Sequence, residues 1–283
     1  MTYFLLLLIV ADQLLEAIMS KQYNINAKKN NVMLYSGVSC LFALLFFVAN
    51  SSGKLDFNPK IISYAIGFAA AFGTATATAI FAIKTGPLSL TTLFSSYSLL
   101  IPTLYGIVFL KDPISPTLYA GLAVLLVSLY LINMKKNENL KITPMWIIYV
   151  LLAFVSNGMC STVQKMQQLK FDGAYKNEFM IIALAIVTVI LITAGLFQKG
   201  NKAEMLKPCF KYGVVKGLGN GFMNYLVMVV SAVLPNAVLF PSISAGGITL
   251  TFLCSILVYK EKLTKMQTVG YILGIVSIIL LNL

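Results

Sequence analysis

Asp12 and Glu16 are the residues of this sequence best placed for chemistry, because they interrupt an apolar run, Tyr3 to Met19, where a charge has no ordinary purpose. Four residues apart, they share one face of a helix. Gln13 lies between them. A second polar set, Lys216, Asn220 and Asn224, repeats the same spacing in "VKGLGNGFMNY". An ionisable group within hydrocarbon is tolerated where it faces a bundle interior or a wet cavity, and such groups mark ion and substrate routes. Two carboxylates on one face can take up and release protons, the property a proton-coupled carrier needs. Lys216 has a plainer reading, as half of a packing ion pair or as a side chain reaching to the interface. Depth counting puts Glu16 level with Lys216 and Asp12 level with Asn220. It predicts a buried Glu16–Lys216 pair and a hydrogen-bonded Asp12–Asn220 layer.

Three further segments carry polar groups inside apolar runs. "SSYS" supplies Ser95 and Tyr97, "PSISAGG" supplies Ser242 and Ser244, and "VSNGMCS" supplies Asn157. Pro241, Gly246 and Gly247 point to a bent or closely packed helix, so this segment reads equally as site lining and as helix packing. "GTATATA", Gly73 to Ala79, reads first as close packing.

The elements that must position these groups are membrane helices. Of 283 residues, 59% are hydrophobic and only 11% charged, less than half the charged share of a soluble domain. Ten apolar runs approach the roughly 20 residues needed to cross the hydrocarbon layer: 3–20, 32–50, 61–83, 88–110, 116–134, 145–164, 179–197, 212–232, 236–259 and 266–283. The first lacks a basic leader and a cleavage pattern, and is expected to be retained as a helix. The connections are short and polar, with no room for a soluble domain, so the expected fold class is an all-α polytopic membrane protein of ten transmembrane helices. The net charge of +12 rests on Lys alone, without Arg. Those lysines sit mostly between the runs, where they meet headgroups and set orientation, and the missing Arg argues against base reading. No nucleic-acid partner is expected. Without His, and with four scattered Cys, no metal centre, disulfide framework or cofactor is expected either, and an enzyme is disfavoured.

The second half echoes the first. At an offset of 149, Lys111 falls on Lys260, Asp112 on Glu261, Gly121 on Gly270 and Asn133 on Asn282. Pro59 and Pro208 each precede the third run of their half. At an offset of 144, Lys21 falls on Lys165, Asp12 on Ser156 and Gln13 on Asn157. Two five-helix repeats, 1–138 and 139–283, must enter the membrane from opposite sides, because five is odd. Inverted repeats of this kind build transporters around a midplane site. Both termini then lie on the same side. Fourteen lysines follow the odd-numbered runs and six follow the even-numbered ones, which by itself puts the termini outside. The fifth and tenth runs have almost no polar content and suit the periphery, against lipid or another subunit.

The chain resembles the ten-helix transporters of the drug/metabolite transporter superfamily, particularly the bacterial exporters built of two five-helix domains. The resemblance covers nearly the whole chain. It rests on a basic residue closing the first helix of each half (Lys21, Lys165), on Pro102 in the fourth run, and on an acid opening the following turn with a later glycine (Asp112 with Gly121, Glu261 with Gly270). It implies that the first, third, fourth, sixth, eighth and ninth helices line a central cavity, and that both termini face the cytoplasm, against the lysine count. The related four-helix small multidrug resistance proteins use one glutamate in their first helix. Here Gln13 holds that register, flanked by Asp12 and Glu16, so the match is approximate. The expected function is a secondary transporter in a bacterial inner membrane. It would be a monomer or homodimer that exports a small organic metabolite or drug by alternating access, with protons as the coupling ion. An uptake carrier for a neutral sugar or nucleoside, and a lipid-linked sugar flippase, are the alternatives.

Overall fold

The computed structural model describes residues 2–27, 31–56, 58–86, 88–113, 115–133, 143–198, 202–257 and 264–281. Among them every regular element is an α-helix: α1 (Thr2–Asn26), α2 (Val32–Asn50), α3 (Ile61–Thr85), α4 (Leu88–Tyr97), α5 (Leu100–Phe109), α6 (Pro116–Asn133), α7 (Pro144–Lys170), α8 (Lys176–Leu196), α9 (Lys202–Ser231), α10 (Asn236–Leu257) and α11 (Lys265–Leu281). Within the described residues each of the ten apolar runs is helical, the fourth with a break. Six helices, α1, α2, α3, α6, α7 and α8, are each long and apolar enough to cross a membrane. This is an all-α polytopic membrane fold.

Three boundaries differ from expectation. The fourth run is two helices, α4 and α5, separated at Ser98–Leu99. The eighth begins ten residues early, at Lys202, so Pro208 lies inside α9 and not ahead of it. Its ring removes only one ladder bond near the start of a 30-residue helix. Helices α1 and α7 run past their apolar segments to Asn26 and Lys170, because polar residues at the interface continue a helix that hydrophobicity alone would end. The Lys260–Glu261 turn and Asn282, used in the repeat comparison, lie outside the described residues, as do Lys28, Lys29 and residues 134–142.

The chain divides into two compact units. One comprises Asp12–Thr76 and Val163–Ala232, the other Met1–Ala11, Ala77–Thr162 and Val233–Leu283. Each takes helices from both sequence halves.

In the first unit, α2 is packed between α8 and α9. Glycines make the approach close. A Cβ on Gly37 would lie 2.9 Å from the Ile192 amide nitrogen, and one on Gly195 would lie 2.7 Å from that of Leu34. Small residues allow such backbone proximity where apolar burial gives little drive for helix association. Asn31 caps α2 by accepting from the Leu34 amide at 3.0 Å, donates through Nδ2 to the Gly195 carbonyl at 2.8 Å, and donates its own amide to Tyr23 Oη at 2.8 Å. Tyr23 stacks on Tyr35 with ring centroids 4.0 Å apart. Gly73 itself has open space where a Cβ would be added, whereas Thr78, further along the same segment, is buried.

In the second unit, α6 lies along α11 and α5 along α10. Gly121 abuts Leu281, Gly270 abuts Ile132, and Ser128 Oγ donates to the Gly270 carbonyl at 2.7 Å. Asp112, in the turn after α5, accepts at Oδ2 from the Ala237 amide at 3.1 Å and so caps α10. Gly106 leaves room for that carboxylate. Besides α2 with α9, three of the contacts pair helices of equal rank in the two halves: second with second (α2, α8), fourth with fourth (α5, α10) and fifth with fifth (α6, α11). An inverted repeat produces this pairing of equivalents.

Candidate functional site

In the unit holding Asp12–Thr76 and Val163–Ala232, the polar residues of α9 form a ladder. Asn220 Nδ2 donates to Glu16 Oε1 at 3.0 Å. Asn224 Nδ2 donates to the Asn220 carbonyl at 2.8 Å and to its Oδ1 at 3.1 Å. Gln164 Nε2, on α7, donates to Asn224 Oδ1 at 2.8 Å. Three helices are thus joined by side-chain amides to one carboxylate. Each rung puts an amide where an unpartnered polar group would be costly in an apolar surround.

Asp12 is buried, at 8% exposure. Its Oδ2 is buried and has no hydrogen-bond partner among the described residues. Its Oδ1 would lie 2.6 Å from a Cβ on Gly219, so the glycine is what lets the carboxyl lie against α9. Gln13 is half-buried beside it.

The expected pairing is corrected here, by one helical turn for Glu16 and by one residue for Asp12. Glu16 meets Asn220, not Lys216, and Asp12 meets Gly219, not Asn220. Lys216 sits with Nζ 5.1 Å from the centroid of the Tyr35 ring, a cation–π contact, and acts on Glu16 only through space. Equal residue counts from the helix ends do not give equal depth when α1 and α9 both extend beyond their apolar segments.

The other candidates belong to the second unit. Asn157, on α7, donates to Ser98 Oγ at 2.6 Å and weakly to the Ser95 carbonyl at 3.5 Å. It therefore occupies the break between α4 and α5, where Ser98 Oγ also donates to the Ser95 carbonyl at 2.6 Å. Gly158 makes room, since a Cβ there would lie 2.7 Å from the Ser98 carbonyl. Tyr97 does not join this group, because its Oη donates to the Leu126 carbonyl of α6 at 2.7 Å. Ser242 is buried on α10 and Ser244 half-buried two residues on. Gly246, further along α10, packs against Val10 of α1.

Sequence reasoning missed Gln164, which is 4% exposed. It also treated Lys165 only as a landmark. Lys165 is 5% exposed, and its Nζ donates to the carbonyl of Ser231, the last residue of α9. A cation there satisfies a terminal carbonyl and opposes the negative end of the helix dipole. The polar run "QKMQQLK" looked like an interfacial end, and its spacing did not reveal that its first members turn inward. Among the described residues, no group of three or more His, Cys, Asp or Glu gathers as a metal site.

Residues 144–283 match the family model described as the EamA-like transporter family. A protein of known crystal structure is similar over 97% of this chain and 95% of its own, with a TM-score of 0.78 at 12% identity. That likeness shows a shared fold. No curated protein matches the chain.

Proposed function

We propose that this chain is a secondary transporter that exports a small organic metabolite or drug by alternating access, with proton exchange at Asp12 and Glu16. The observation that carries the reading is the placement of two carboxyls, one buried and one half-buried, inside a membrane-length helix. Asp12 has an oxygen without a partner among the described residues, and Glu16 is held by an amide ladder. A carboxylate removed from water without a partner is stabilised by whatever brings it a proton or a positive charge, which is how ion and solute can compete for one place. The transporter-family match over residues 144–283 supports the same reading.

In this account the two halves, 1–138 and 139–283, are inverted repeats, and both termini lie on one side of a bacterial inner membrane. Asp12, Glu16 and Gln13 serve coupling, with Asn220, Asn224 and Lys216 around them. Asn157, Ser95, Tyr97, Ser242 and Ser244 belong to the helices that line the solute route. The break at Ser98–Leu99 supports this, because irregular backbone at membrane depth is tolerated where it faces protein or a water-filled cavity.

The test uses the full chain in proteoliposomes enclosing a pH-sensitive dye, with a panel of amino acids, organic cations, sugars and nucleosides. At least one compound should move protons on addition, and both Asp12→Asn and Glu16→Gln should abolish that flux. Transport without proton movement would instead establish a uniporter.

A further inference from the structure

We propose that Gln164 is a positioning residue for Glu16, acting through a polarised chain of three side-chain amides. The proposal rests on the proton-coupling reading above.

The polarity of the chain follows from acceptor-only groups and not from the choice of which amide atom is nitrogen. Ionised Glu16 can only accept, so Asn220 must turn its NH₂ toward it. The Asn220 main-chain carbonyl can only accept, so Asn224 must turn its NH₂ toward Asn220. Asn224 Oδ1 then points away from Glu16 and needs a donor, which Gln164 Nε2 supplies at 2.8 Å. Asn220 and Asn224 each accept on one side and donate on the other, and Gln164 donates at the far end, so the chain runs toward the carboxylate. Aligned hydrogen bonds of this kind polarise one another. Gln164 itself is buried, with Nε2 also 3.9 Å from Met180 Sδ, so water does not readily replace it.

Other groups act on Glu16 as well: Asp12 on α1, Tyr35 and Cys40 on α2, and Lys216 on α9. None of these contacts Asn224 or Gln164 in the described residues, so the amide chain can be changed while they remain. Without Gln164, Asn224 Oδ1 loses its donor and the direction of Asn224 is held only by its bonds to Asn220. The ionised form of Glu16 then loses part of the support that its proton-bound form does not need.

The experiment reads the protonation of Glu16 directly, by infrared difference spectroscopy of the carboxyl band during a pH titration. The full chain is reconstituted in lipid, and the band is assigned by its loss in Glu16→Gln. Gln164→Leu should move the midpoint of that titration upward by about half a pH unit or more. Gln164→Glu should do the same while its own carboxyl is ionised, because a carboxylate offers Asn224 Oδ1 no donor. Asn220→Ala, which removes the last rung, should move the midpoint further than either. A thiol-dye melting curve on each variant identifies any that fails to fold, and Gln164→Asn and Gln164→Met are the replacements in that event. A Glu16 titration unchanged in a folded Gln164 variant, but shifted in Asn220→Ala, overturns the positioning role and leaves proton coupling intact. A Glu16 band that does not titrate in the unaltered protein overturns both.

Discussion

Adding a single methyl group at Gly217 tests the seam that holds the ladder. A Cβ there would overlap the Ser39 carbonyl oxygen and lie 2.8 Å from Phe42 Cβ. Ordinary van der Waals contact begins at 3.4 Å, so Phe42 alone would require α9 to retreat from α2 by about 0.6 Å, and the Ser39 carbonyl requires more. A backbone carbonyl cannot rotate aside as a side chain can, so the cost belongs at the upper end of overpacking, about 2–3 kcal/mol. Three residues along α9, Asn220 donates to Glu16 at 3.0 Å. Displacing α9 moves the backbone that carries this donor. Gly213 and Gly219 are internal controls on the same helix. A Cβ on Gly213 meets the end of Val38 at 3.1 Å, and one on Gly219 meets only the movable Asp12 carboxyl. Cys40 on α2 and Cys209 on α9 are both buried free thiols, so a thiol-reactive dye reports separation of these helices on heating. The expected order of destabilisation is Gly213→Ala, then Gly219→Ala, then Gly217→Ala, the last melting roughly 5–10 °C below the unaltered protein. A Gly217→Ala protein that melts with the parent, or a Gly213→Ala protein that melts below the Gly217→Ala protein, would refute the close packing of α9 on α2.

Three other outcomes follow from the same structure. Asn31→Ala removes the α2 cap and leaves the Gly195 carbonyl without its donor, so it should cost about 2–3 kcal/mol in thermal or denaturant unfolding. Asp112→Ala should cost about 1–2 kcal/mol by exposing the start of α10, and Asp112→Asn should recover much of it because the amide oxygen can still accept from Ala237. Trp146→Phe keeps the ring contact with Phe94 but loses the 2.9 Å bond from Nε1 to Thr91. A loss of about 1 kcal/mol is expected, and Thr91→Val should match it without adding to it in the double variant.

The helices were readable from the sequence because membrane residence writes itself in run length, and the described part of every run is helical, the fourth apart from its break. The identity of the polar helices was also readable, since Asp12, Glu16, Asn220 and Asn224 have no place in hydrocarbon unless they meet something. Their partners were not. A register is fixed by where helices touch, here through Gly217 on Ser39 and Gly195 on Leu34, and such contacts leave no periodic signal. The error of one turn that exchanged Lys216 for Asn220 has that origin. Gln164 was passed over because amides near a helix end resemble an interfacial fringe. The break at Ser98–Leu99 escaped notice because "SSYSLL" keeps helical hydrophobicity across it, and what shapes it is Asn157 on another helix. The repeat was legible in its landmarks, but its structural consequence, compact units assembled from both halves, was not.

The central claim is that Asp12 and Glu16 exchange protons for solute. Its most direct measurement is the number of protons released when a transported compound binds to the purified full chain, obtained by calorimetry in buffers of different ionisation enthalpy. The account predicts a net release in the unaltered protein that falls in Asp12→Asn and disappears in Glu16→Gln. Binding heats that do not depend on the buffer, or a proton release that persists in both variants, would contradict it.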